Sequence, residues 1–158
     1  MGLDITAYQV VTKLNVTSAD ETWEADGLWI DEEQPFNRLD GLETGAYAVS
    51  GDRYAFRAGS YSGYNEWRRM LARMVGVIDR ELWNDHSEAA KATPFYELIC
   101  FSDAEGTIGP KTCAKLAKDF DDWADRAKAS GDRYWLEKYQ DWSKAFHLAA
   151  ERGVVDFH

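Results

Sequence analysis

Large apolar side chains recur at intervals of three and four between Trp135 and Ala149, at Trp135, Tyr139, Trp142, Phe146 and Ala149. That spacing sets them along one side of an α-helix, and a stripe carrying four aromatic rings needs another layer of protein to cover it. A second stripe of the same period, Cys113, Leu116, Ala117, Phe120, Trp123, Ala124 and Ala127, begins just after Pro110, a residue suited to the first helical turn. Asp119, Asp121, Asp122 and Asp125 fall on its other side. The connection ASGD between the stripes is short, which predicts a C-terminal antiparallel helical hairpin.

Upstream the period is different. Residues 5–16 are rich in β-branched side chains and tyrosine with partial alternation, which predicts a first strand. AYAV and YAF read as two further short strands joined by the turn signal SGD, and GLWI as another. From Tyr64 the apolar positions Trp67, Met70, Leu71, Met74, Val75 and Ile78 return to helical spacing, with Arg68, Arg69 and Arg73 mostly on other faces and Ser62 or Asn65 as the cap. FYELICF is a short apolar piece ahead of a loop. The fold class expected is α+β: a small antiparallel sheet packed against helices, with the helical hairpin at the C-terminus and a single domain over residues 1–158.

Two glycine-containing loops are the candidate small-ligand site. AGSYSGYNEW runs into the helix near Tyr64; its glycines allow close approach, its serines supply hydroxyls, and the first N–H groups of the helix can receive an anion. Arg57, Ser60, Ser62, Tyr64, Asn65 and Arg68 are its candidate ligand residues. SDAEGTIG adds Asp103 and Glu105 as a base or cation ligands ahead of the helix at Pro110. Neither loop matches a nucleotide-binding fingerprint, and the second departs from the calcium-loop pattern. A turn whose tyrosines pack over the core accounts for the first loop equally, and an Asp103 that accepts backbone N–H groups in a turn, or pairs with Arg57, accounts for the second. If both helix starts faced one mouth, an anion there would be held better than by either alone. His86, His147 and His158 lack ligand spacing with one another or with Cys100 and Cys113, so no metal, cofactor or catalytic residue is expected.

The chain has 28 acidic and 18 basic side chains, a net charge of −10, which disfavours nucleic acid and anionic membranes as partners. The imbalance is local. Residues 1–50 hold ten acids and two bases, whereas residues 51–80 hold six arginines against three acids. Within the segment 18–36, Trp23 and Trp29 alternate with Glu24, Asp26, Asp31, Glu32 and Glu33, a pattern in which aromatics anchor an interface and carboxylates steer a basic partner. The same segment reads equally as a solvated, mobile arm. Two thiols in no paired motif, the lack of a secretion-type N-terminus and the lack of a long apolar run point to a cytoplasmic setting.

MGLDITAY at residues 1–8, GSYSGYNEWR at 59–68 and FSDAEGTIGP at 101–110 resemble a group of small proteins encoded by phages and prophages. The blocks cover about a fifth of the chain, and the resemblance carries over no catalytic residue. It implies a viral or mobile-element origin and the cytoplasm of a host cell, where small acidic proteins inhibit defence complexes by direct binding. The first functional expectation is therefore a non-enzymatic acidic protein that binds a basic host nucleic-acid-handling or defence complex. A small-molecule-binding or phosphate-acting enzyme built on loops 57–65 and 102–109 is the alternative, and a virion-associated structural protein the second alternative.

Overall fold

The computed structural model describes residues 2–15, 27–31, 39–40, 42–77, 85, 87–101, 105–130 and 132–158. In chain order these form β1 (Gly2–Lys13), β2 (Gly27–Ile30), β3 (Gly45–Ser60), α1 (Tyr61–Met74), α2 (Glu88–Lys91), α3 (Tyr96–Ile99), β4 (Gly106–Ile108), α4 (Pro110–Asp122), α5 (Ala124–Lys128), α6 (Arg133–Ala149) and β5 (Val154–Phe157). The fold is α+β, with a curled sheet packed against several helices. Its strand order is β2-β3-β1-β5-β4 and every strand pairing is antiparallel.

Alternation in β1 explains the layering. Leu3, Ile5 and Ala7 are fully buried and face the helices together with Ile108, Val155 and Phe157. The residues between them point to the opposite side, where Tyr8 and Val11 join a smaller cluster of Ile30, Leu39, Tyr47 and Val154. On the helical side α6 lies over β1, β3 and β5. Its Trp142 is wholly buried, with ring centroids of Phe56, Tyr64, Trp67, Phe146 and Phe157 all within 5.8 Å. Truncating such a side chain to alanine costs about 3–5 kcal/mol, more than most contacts in a domain of this size.

Several expectations about the elements change. AYAV and YAF are parts of one strand, β3, because the SGD signal is spent on a bulge. Between the pairs Tyr8–Arg53 and Val10–Ser50, β1 contributes only Gln9 and β3 contributes Gly51 and Asp52. Gly51 takes φ +73, and the Gln9 side chain accepts the freed Asp52 N–H at 2.8 Å. The first strand spans Gly2–Lys13, three residues earlier at each end than read from composition, because β3 and β5 supply its partners. Helix α1 starts at Tyr61, and its cap is Ser60, whose Oγ accepts the Gly63 N–H at 3.0 Å.

The C-terminal part is not a distinct helical hairpin. The short helix α5 intervenes between α4 and α6, and after α6 the chain returns to the sheet as β5, between β1 and β4. The apolar piece FYELICF contains α3, with Phe95 at its start in the left-handed region, φ 60. Asp119 was expected among the outer acids of α4. It turns inward instead, accepting the Phe95 N–H at 2.9 Å and pairing with Lys115 at 2.9 Å.

Candidate functional site

The first glycine-containing segment and the helix after it meet residues 99–101, just ahead of the second segment, through the core. Tyr64 is buried, and its hydroxyl donates to the Phe101 carbonyl at 2.8 Å. Arg68 has no exposed surface; one guanidinium nitrogen donates to the Ile99 carbonyl at 2.6 Å, another donates to Asn65 Oδ1, and the group lies 5.1 Å from the centre of the Tyr64 ring. Phe101 stacks on Phe157 at 3.9 Å, and Tyr64 meets Phe157 and Trp142 edge-on or tilted. Three of the eight candidate ligand residues are therefore occupied in holding α1 against the 99–101 segment.

The others are dispersed. Arg57 is exposed on β3 with Asp4 3.6 Å away as its carboxylate partner. Ser60 is the helix cap, Ser62 lies beside it with the hydroxyls 3.2 Å apart, and Glu105 is exposed ahead of β4. Asp103 lies outside the described residues, as do Trp23, Glu24, Asp26, Glu32 and Glu33 of the acidic segment. Of that segment, Trp29 is half-buried on β2 and its indole N–H donates to the exposed Asp31 at 2.8 Å.

Both helix starts that seemed open to an anion are filled by the chain itself. At α1 the donor goes to Ser60. At α4 the carboxylate of Asp40 accepts the Thr112 N–H at 2.7 Å and the Thr112 hydroxyl at 2.8 Å, placing a negative group where the helix dipole favours one. Gly109 permits this approach, since a Cβ there would sit 2.6 Å from the Leu39 carbonyl.

The concave surface lies elsewhere, at the corner where α5 joins α4 to α6. On one side of α5 a groove of about 420 Å3 has Met70, Met74 and Trp135 as its floor, Arg73 and Arg126 as its charged rim, and Ala129 and Ser130 at its end. Trp135 is a fixed floor: its indole N–H donates to the Trp67 carbonyl, and that of Trp67 donates to the Trp135 carbonyl, both at 3.2 Å. On the other side a groove of about 250 Å3 is lined by Phe120, Ala124, Leu136 and Tyr139, with Lys128, Lys144 and the carboxylate of Asp121 at its rim. Thus α5 is a ridge between two apolar floors, each with a charged rim.

Compared with known protein families, curated proteins and solved structures, the chain matches none.

Tyr54, Tyr139 and Cys113 are all held in their protonated forms at neutral pH. Burial and a hydrogen bond from its hydroxyl to Asp141 push Tyr54 up to about 12, and Lys144 sits 4.1 Å above its ring. Burial also raises Tyr139, whose hydroxyl donates to the Phe120 carbonyl. The Cys113 thiol, fully enclosed, is raised well above its ordinary value and stays protonated. Among the described residues no group of three His, Cys, Asp or Glu could hold a metal, and no helix is long and apolar enough to cross a membrane.

Sequence reasoning had placed Met70, Met74 and Trp135 in apolar stripes and Arg73 on another face of α1. The signal for a groove was their mixture: a helix whose stripe runs to its last turn with an arginine beside the final methionine has apolar surface at its end that only tertiary packing can cover or leave open.

Proposed function

We propose that this chain is a non-enzymatic protein-binding module whose folded body meets its partner at the α5 corner. The observation that carries this reading is the pair of apolar-floored grooves with charged rims flanking α5. A ridge with a groove on each side presents a surface on which a partner can seat side chains at two points, the arrangement from which interface anchors draw most of their energy. The unbranched methionines on one floor suit it to adapt to the partner's shape.

A viral or mobile-element origin, and with it a role in a host cell, rests on the resemblance of the three sequence blocks to phage and prophage proteins alone. The residues of these blocks meet in the core: β1 pairs with the strand leading into Tyr64, and Tyr64 meets Phe101. The blocks are thus explained by packing, and the working surface is free to lie outside them. Capture of a basic host complex by the acidic segment would be a separate contact. It is favoured by the location of charge, since residues 1–50 hold ten acidic side chains and only two basic ones.

The test is a photo-crosslinking amino acid placed at Ala129, at the end of the larger groove, and for comparison at the exposed Thr12 on β1. In cells of the source organism the Ala129 version gives a discrete adduct with one protein and the Thr12 version gives none. Equal labelling from both positions, or turnover of a small molecule with no adduct at Ala129, overturns the reading.

A further inference from the structure

We propose that the larger groove docks an acidic amphipathic segment of the partner, with an apolar side chain seated on Met70, Met74 and Trp135 and carboxylates on Arg73 and Arg126. This rests on the corner being an interface and adds the chemistry of what binds there. Charge decides it. Acids outnumber bases 28 to 18, and many of the basic side chains are spent on carboxylates of the chain itself. Arg57, Arg69, Lys91, Lys118 and Arg133 each have one within 4 Å. Among the described residues Arg73 and Arg126 have none, although both are exposed and both edge the same groove. Arg126 is held above the Trp123 ring, 5.7 Å from its centre, which fixes its side of the groove without neutralising it.

Two guanidiniums beside an apolar floor complement a helix or strand that alternates carboxylates with large apolar residues. A polyphosphate fits less well, because the apolar floor of Met70, Met74 and Trp135 offers it no donors and gains nothing from being covered by it. A basic segment would face both arginines directly.

The chain has three methionines, two of them on the floor, so protein labelled with 13C at the methionine methyls reports on the groove directly. Met70→Leu and Met74→Leu assign the signals. The probes are a synthetic sixteen-residue amphipathic helix with leucine and tryptophan on one face and glutamate elsewhere, the same peptide with lysine in place of glutamate, and the tripeptide N-acetyl-Glu-Trp-Glu amide. Saturable shifts of the Met70 and Met74 methyls are expected with the acidic helix and not with the lysine version, and they should weaken as salt is added. The double variant Arg73→Gln, Arg126→Gln should bind at least about tenfold more weakly while remaining folded with only a small drop in melting temperature, since both side chains are exposed but each sits in the last turn of its helix.

A response to the lysine helix in preference to the acidic one overturns the proposed chemistry but leaves the interface standing if Ala129 still crosslinks. Shifts by the tripeptide at the same concentration as the helix overturn a protein partner in favour of a small anion. Unmoved methyls with every probe, alongside crosslinking at Ala129, overturn docking in this groove. Loss of the Ala129 crosslink itself overturns the interface reading beneath it.

Discussion

Trp67 and Trp135 exchange hydrogen bonds, each indole donating to the other's backbone carbonyl at 3.2 Å while the rings stack at 6.0 Å. This reciprocal pair joins α1 to the start of α6 and fixes one wall of the larger groove. Trp67→Phe removes one donor, leaves the Trp135 carbonyl with only its intrahelical hydrogen bond and opens a void. The expected loss is about 2–4 kcal/mol. It should appear in urea unfolding as a lowered midpoint with an unchanged slope, and the Met70 and Met74 methyl resonances should broaden as the floor loosens.

Tyr64→Phe tests whether the helix-start tyrosine serves the core or a ligand. Its hydroxyl points inward and donates to the Phe101 carbonyl. Removing it should cost about 1–2 kcal/mol in unfolding free energy and leave binding at the α5 corner unchanged. A variant with full stability and weakened binding would place Tyr64 in a site after all.

What sequence could and could not reveal divides along this contact. The stripes in α4 and α6 were legible because helical periodicity is a local property: Trp135, Tyr139, Trp142, Phe146 and Ala149 are all buried. The destination of Arg68 was not, because a buried arginine is tolerable only where a distant carbonyl, here that of Ile99, lies ready to accept from it. Nor could SGD be assigned, since turn and bulge call for the same positive-φ glycine and only the partner strand decides between them. The strand β5 was missed for a like reason, its four residues acquiring strand character from β1 and β4 on either side. The grooves depend on three helices meeting at a corner, and no single segment encodes that.

Asp40 fills the start of α4 from a left-handed backbone, φ 56. Asp40→Ala loses both hydrogen bonds and the favourable dipole interaction, for an expected cost of about 2 kcal/mol. Asp40→Gly loses the same bonds but relieves the backbone and should be milder by roughly 1 kcal/mol. Sulfate should restore part of the melting temperature of both variants and little of the parent's, because only the variants leave an anion-binding helix start exposed.

Two glycines separate steric from conformational demands. A Cβ at Gly153 would lie 1.8 Å from the Tyr8 carbonyl oxygen, so Gly153→Ala must push β5 away from β1. The expected loss is about 3 kcal/mol or more. Gly76, with φ +88 and no atom within 4 Å of a Cβ, should lose only about 1 kcal/mol on the same substitution. Thermal melts of the two variants side by side check the ordering.

Asp156 on β5 provides the pH dependence. Burial pushes its carboxyl from the ordinary 3.8 up to about 6, with Asp31 and Glu105 adding to the rise and the Thr107 hydroxyl and His158 opposing it. The Thr107 hydroxyl donates to Asp156 at 3.0 Å, and His158 hydrogen-bonds to Thr6 nearby in the sheet. A carboxyl raised by folding binds its proton more tightly in the folded chain than in the unfolded one. Its contribution to stability is therefore complete below the unfolded value of 3.8 and is lost as pH climbs through about 6. At neutral pH the charged form is a standing cost on the order of 3 kcal/mol. Asp156→Asn keeps an acceptor for Thr107 and cannot ionise, so it should be the more stable protein at pH 7.5, with the advantage shrinking toward pH 4. Urea unfolding of both proteins across that range isolates the effect from the other carboxylates. A variant less stable than the parent at pH 7.5 would mean that the charged carboxylate is well accommodated by Thr107 and His158.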